Sequence, residues 1–171
     1  MGEVGILRPD ERVELIDGEI IDMTPPGGRH IGMVMHLDRL LQRTVADAAM
    51  VLVQSPISLG HHSEPQPDVA LLRPRPDGYK SGDIPQSADV LLVIEVAETS
   101  LRYDRDVKTA LYARHEIPEI WLMDIRAKRL TRYRDPVGGT YRQVDEPDLG
   151  APINLPAGSG LRIDLALLFA H

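Results

Sequence analysis

The sequence predicts a mixed α/β (α+β) fold, with a central mixed sheet flanked by helices and an N-terminal β-hairpin. Three observations carry that expectation. Val90-Leu91-Leu92-Val93-Ile94-Glu95-Val96-Ala97 is apolar at seven of eight positions, which is how a strand covered on both faces reads. Ile31, Val34, Met35, Leu37, Leu40, Leu41 and Val45 recur at helical spacing, with Arg39, Arg43 and Asp47 off the stripe. Asp17-Gly18 stands between the short β-like runs Val13–Ile16 and Glu19–Met23, a strong hairpin signal.

The elements follow in order. After the hairpin, Thr24-Pro25-Pro26-Gly27-Gly28 breaks the chain, and a helix is expected from about 29 to 49. Residues 50–54 and 67–72 read as strands. Residues 74–86, with Pro74, Pro76 and Pro85 and two glycines, read as a loop. Beyond the strand at 90–97, Glu98-Thr99-Ser100 offers helix-capping side chains. A helix over 102–115 would carry Asp104, Lys108, Leu111 and Tyr112 on one face. Ile117-Pro118 ends it, and Glu119–Asp124 is the next strand. Residues 129–134 and 140–144 form a hairpin about Pro136-Val137-Gly138-Gly139, and 164–169 a short closing helix capped by Asp164.

With 171 residues, 43% of them hydrophobic and 26% charged, the chain 1–171 reads as one domain with a real core. It has no cysteine, which removes disulfides, thiolate zinc sites and cysteine nucleophiles together. That fits a reducing compartment, and a cytoplasmic location is the expectation. Met1–Gly5 lacks a basic-then-apolar leader pattern, and no apolar run approaches the roughly 20 residues of a membrane span. A net charge of −7 argues against a general DNA coat, because nonspecific binding rests on neutralising phosphates with Lys and Arg. A local basic rim or a metal-mediated contact stays open.

Glu95 is the most informative residue. A carboxylate in a fully covered strand is almost always paired or metal-bound. A second acid, Asp68, precedes the apolar run Val69–Leu72, and Lys108 follows on the expected helix. Two acids on core strands plus one lysine make the inventory of a divalent-metal phosphodiesterase. Magnesium takes hard oxygen ligands and keeps several waters, so two carboxylates can suffice. In the simplest layout the lysine sits two residues after the second acid. Here that position is Ala97, and its small side chain leaves room for a lysine reaching across from a helix.

Pro67-Asp68, Glu95-Val96-Ala97, Tyr103-Asp104-Arg105-Asp106-Val107-Lys108, Leu111-Tyr112-Ala113-Arg114 and Ile117-Pro118-Glu119-Ile120-Trp121-Leu122-Met123-Asp124 together resemble the Uma2 family. That family is similar to restriction endonucleases of the PD-(D/E)XK superfamily. The resemblance extends to Glu14-Leu15-Ile16-Asp17-Gly18-Glu19 and to His30, so it spans about residues 10 to 169. It implies a restriction-endonuclease-like fold and a Mg2+ ion, with Mn2+ as the alternative, at Asp68 and Glu95. It also implies a migrated catalytic lysine at Lys108, and it draws Glu14 toward the metal as a weaker candidate. Tyr112 and His30 are possible accessory residues. DNA is the implied substrate, and a homodimer fits a cut through both strands.

Each residue also has a plainer reading. Asp68 could cap a turn after Pro67. Glu95 and Lys108 could form a structural ion pair, or Lys108 could be a solvated i+4 partner of Asp104. Glu14 could be an ordinary polar strand residue, Tyr112 a packing residue and His30 a helix-start residue. His61-His62 reads as a solvated pair. Two functions therefore stand: a metal-dependent endonuclease, and a catalytically silent nucleic-acid-binding or regulatory module with the same fold. A serine hydrolase lacks its Gly-x-Ser-x-Gly elbow.

Overall fold

The computed structural model describes residues 12–158 and 160–169. The leader-pattern expectation over Met1–Gly5 lies outside them. The chain opens with the hairpin β1 (Val13–Ile16) and β2 (Glu19–Asp22). Asp17 and Gly18 both take positive φ, 50° and 86°, the backbone that a two-residue hairpin turn requires. Helix α1 (Gly28–Val45) follows, then β3 (Met50–Val53), β4 (Val69–Leu72) and β5 (Val90–Ala97).

Next comes a composite helix, here α2. It consists of an α-helical turn (Leu101–Tyr103), a π-helical turn (Asp104–Lys108) and a final α-helical segment (Thr109–Arg114). Strands β6 (Glu119–Asp124), β7 (Arg129–Val137) and β8 (Thr140–Asp145) follow. Two short strands, β9 (Pro152–Asn154) and β10 (Arg162–Asp164), pair antiparallel before α3 (Leu165–Leu168).

The main sheet has the order β3-β4-β5-β6-β7-β8. All neighbours are antiparallel except β5 and β6, which are parallel. Parallel strands need a crossover, and α2 supplies it. This is the central mixed sheet that the apolar patterning predicts.

The sheet is covered on both faces. Leu92, Ile94 and Val96 of β5 point to one side, where Val34, Leu37, Leu41 and Val45 of α1 and Leu165 and Leu168 of α3 complete a core around Trp121 and Met123. Val93 points to the other side, into a second core with Ile120 and with Leu111 and Tyr112 of α2. Strand side chains alternate, so Glu95 shares the Val93 face and looks toward α2. Every residue of β5 is buried.

Two local expectations differ from the structure, and one short strand pair was not expected. Ser100 occupies the N-cap position of α2 but makes no side-chain capping bond; its hydroxyl donates to Asp104 instead. The hairpin after β6 turns at Gly138-Gly139, with Pro136 and Val137 still in the strand, because both glycines supply positive φ. The β9–β10 pair carries too few residues for its alternation to register in sequence. The closing helix begins as expected, with the Asp164 carboxylate accepting from the Ala166 N–H.

The two sides of α1 predict different tolerances. Leu41 is fully buried and Met35 is 68% exposed. Leu41→Ala should cost about 2–5 kcal/mol of folding stability, and Met35→Ala should stay within about 0.5 kcal/mol. Urea denaturation of the two variants checks this. Equal losses would mean that α1 does not pack by the face described.

Candidate active site

The site forms where β1, the segment before β4, the end of β5, the start of α1 and the π-helical turn of α2 meet. Glu14, His30, Asp68, Glu95, Tyr103, Asp104 and Lys108 all line one cavity of about 420 Å³.

Asp68 immediately precedes β4, next to β5 in the antiparallel pairing. One of its carboxylate oxygens accepts the Val96 N–H at 2.8 Å, which fastens it to the strand carrying Glu95. The other lies 3.0 Å from Nε2 of His30, the third residue of α1. His30 thus does more than start a helix, because its ring grips one of the two core acids. The Asp68 hydrogen bond raises the His30 pKa, against the opposing effect of burial.

Glu95 is 3% exposed. Its Oε1 accepts from the Tyr112 hydroxyl at 2.7 Å and from the Lys108 ammonium at 3.3 Å. Lys108 Nζ also reaches Glu14 Oε1 at 2.8 Å, and that same oxygen accepts the Gln66 N–H. Glu14 is therefore no ordinary polar strand residue. It is buried, held by a backbone amide, and bonded to the lysine expected to serve Glu95. The hairpin is held in place for this by antiparallel backbone bonds between Leu15 and Glu64 and by the Asp17 N–H donating to Ser63.

Lys108 comes from the helix, as the small Ala97 side chain suggests. The π-helical turn sets its direction. The Thr109 N–H bonds back to the Asp104 carbonyl, a span of five residues in place of four. Asp104 and Lys108 are buried while Arg105, Asp106 and Val107 between them are exposed. Asp104 joins the cavity as a further acid. The sequence places it on the Lys108 face but does not single it out as a site residue. The signal was its position four residues before Lys108 on a stripe otherwise continued by Leu111 and Tyr112. His61 and His62 stand exposed in a turn, away from this set.

The charges do not balance locally. Six acids, Glu14, Asp22, Asp68, Glu95, Glu98 and Asp104, line the cavity against Arg12, Lys108 and the His30 imidazole. Burial pushes the Glu95 carboxyl up to about 8, with Asp104, Asp68 and Glu14 adding to the rise and Lys108 opposing it. Burial also raises Asp104, against Lys108 and Ser100. For Lys108, burial works against the charge, but Glu95, Glu14 and Asp104 outweigh it and hold its pKa above the ordinary lysine range. Burial and the adjacent Glu95 keep Tyr112 a neutral phenol. The oxygen-rich, acid-excess donor set suits a hard divalent cation at Asp68 and Glu95. Among the described residues no group of three or more His, Cys, Asp and Glu side chains is arranged to hold a metal ion, so an ion here would rest on the two carboxylates and on water.

The Glu95 shift has a sign. Its folded pKa of about 8 lies above the ordinary glutamate value of 4.5, so the folded state binds the proton more tightly than the unfolded state. This contribution to stability is present at low pH and is lost as pH rises toward and through 8. In chelator, Glu95→Gln should therefore gain in melting temperature relative to the native protein as pH rises from about 6 to 9. Paired thermal melts across that range check it. A constant difference would mean that Glu95 titrates at an ordinary carboxylate pKa.

The comparisons with known proteins agree with this architecture. The Uma2 family model, described as "Putative restriction endonuclease", matches residues 3–166. Among solved structures, a crystal structure from Anabaena variabilis ATCC 29413, titled a "putative nuclease belonging to DUF820", matches with a TM-score of 0.73. The two are 18% identical, and the match covers 98% of this chain and 94% of that one; at this identity the likeness speaks for the fold. No curated protein matches. No helix among the described residues is long and apolar enough to cross a membrane. The family model spans nearly the whole chain, including Asp68, Glu95 and Lys108, and the protein belongs to the Uma2 family.

Proposed function

We propose that the protein is a magnesium-dependent endonuclease that hydrolyses phosphodiester bonds in DNA, with manganese as a substitute ion. The observation that carries this reading is the meeting of Asp68, just before β4, and Glu95, on the neighbouring β5, with Lys108 in one cavity. The family description and the nuclease title of the structural neighbour point the same way.

Asp68 and Glu95 are the residues that would hold the ion. When bound, the ion would lower the pKa of a water and offset charge on the scissile phosphate. A bound cation would favour the ionised form of Glu95 and so oppose the effect of burial. Lys108 is already charged and hydrogen-bonded at the Glu95 carboxylate, from where it can orient the attacking water or stabilise developing negative charge. Tyr112 donates to Glu95 and fixes its rotamer. Glu14 holds the lysine from the opposite side. His30 orients Asp68. A homodimer, acting on the two strands of a duplex, and a cytoplasmic location complete the proposal.

A second reading rests on one observation. Lys108 is bonded to two buried carboxylates, which is also how a structural ion-pair cluster looks. In that case the fold would serve a silent nucleic-acid-binding or regulatory module.

The two readings diverge under mutation. Assays on supercoiled, linear and single-stranded DNA should give cleavage with magnesium or manganese and none with chelator. Glu95→Ala should reduce the rate by at least about a hundredfold and weaken metal binding measured by calorimetry. Equal metal binding by the native protein and Glu95→Ala would remove Glu95 from the site.

Lys108→Ala should lower kcat with little change in KM. It should also lower the melting temperature, because Glu14 and Glu95 lose their shared cation. Destabilisation with an unchanged single-turnover rate would make Lys108 structural.

A further inference from the structure

Tyr103 is a residue of this cavity that the proposed chemistry does not use. Its hydroxyl is buried and has no hydrogen-bond partner, yet the side chain lines the same cavity as Asp68, Glu95 and Lys108. A buried tyrosine hydroxyl ordinarily finds a partner. The nearest acids are committed elsewhere: Glu14 to Lys108 and the Gln66 N–H, Glu95 to Lys108 and Tyr112, Asp104 to Ser100. The donor is held among acids without being spent on one.

The helix geometry explains how it comes to be there. Tyr103 lies five residues before Lys108, and the turn between them is π-helical. That wide turn lets Tyr103, Asp104 and Lys108 all line the cavity, which an ordinary helical stripe of i, i+4 positions would not do for both 103 and 104. Such turns frequently sit at functional sites.

We infer that Tyr103 is a substrate-contacting residue, whose hydroxyl donates a hydrogen bond to a non-bridging oxygen of a nucleic-acid phosphate bound in the cavity. This rests on the nuclease reading for its ligand class and deepens it by naming the group that receives the phosphate. A phenol suits the task in an acid-rich cavity. Burial raises its pKa, and Glu14, Asp104 and Glu95 add to the rise, so it stays a neutral donor. It adds no charge to compete with Lys108 for the carboxylates. A phosphate entering beside a metal ion brings the acceptor that the free protein lacks.

Tyr103→Phe removes one oxygen and keeps the ring. Four readouts on that variant and the native protein decide the matter, in two sets with magnesium affinity as the control. The first is anisotropy with labelled single-stranded and duplex oligonucleotides in calcium, alongside kcat/KM in magnesium. The second is the melting temperature without nucleic acid. The expected result is a loss of oligonucleotide affinity of about tenfold or more, with kcat/KM falling in parallel, as for a lost hydrogen bond to a charged group. The melting temperature should be unchanged or raised, because an unpartnered buried hydroxyl has been removed. Calorimetric magnesium affinity should not move.

Unchanged affinity would overturn the inference. So would lost affinity accompanied by a lower melting temperature, which would make the hydroxyl part of the fold. Should the native protein bind oligonucleotides without cleaving them, the catalytic reading fails and the anisotropy comparison still decides the role of Tyr103. A native protein that neither binds nor cleaves overturns both.

Discussion

The structure around the cavity depends on one buried cation. Lys108 is 5% exposed and sits between Glu14 at 4% and Glu95 at 3%, bonded to both. Taking an ammonium and two carboxylates out of water is expensive, and only close pairing with further hydrogen bonds offsets the cost. The further bonds are present: the Tyr112 hydroxyl on Glu95 and the Gln66 amide on Glu14. The cluster joins three parts of the chain that are distant in sequence. Glu14 belongs to the N-terminal hairpin, Glu95 to the central strand and Lys108 to the crossover helix. An N-terminal hairpin that pairs with no strand of the main sheet thereby gains an electrostatic anchor in addition to its backbone bonds to His62 and Glu64.

The arrangement is also unbalanced in a useful direction. One lysine serves two acids while Asp68 and Asp104 stand nearby, and the pKa of Glu95 rises accordingly. Stability and readiness for a cation are then in tension. Burial favours the protonated form of Glu95, whereas Lys108 and a bound ion would favour the carboxylate. Buried, strongly shifted groups in a cavity cluster at functional sites.

The helix that delivers Lys108 is irregular where it matters. An ordinary α-helix over 101–114 would set a four-residue spacing from Asp104 to Lys108, with Tyr103 turned off that stripe. The π-helical turn loosens this constraint and brings all three to the cavity. The register is held on the far side by Leu111 and Tyr112, which pack against Val93 and Ile120 of the sheet. Tyr112 therefore does two things at once. Its ring belongs to the core, and its hydroxyl reaches the acid that the strand pattern singles out.

Much of this was legible in the sequence, and for identifiable reasons. Hydrophobic periodicity is local, so β5, α1 and the first hairpin could be read from their own residues. A carboxylate inside an all-apolar strand is improbable without a partner, so Glu95 stood out on burial chemistry alone. Ala97 in the expected lysine position directed attention to a helix, and Lys108 reaches Glu95 from one.

Which distant groups meet was settled by the packing of the elements. Nothing local to Glu14 shows that its oxygen receives Lys108, ninety-four residues away in the chain. Nothing local to His30 shows that its ring faces Asp68. The π-helical turn was invisible because its residues, Asp104 to Lys108, also fit an α-helical pattern. The β9–β10 pair was missed because three-residue strands carry too little alternation. Sequence determined which groups would need partners, because burial and charge are properties of single positions. The partners themselves follow from how strands, hairpin and helix close on one another, a matter of long-range contacts that no local pattern encodes.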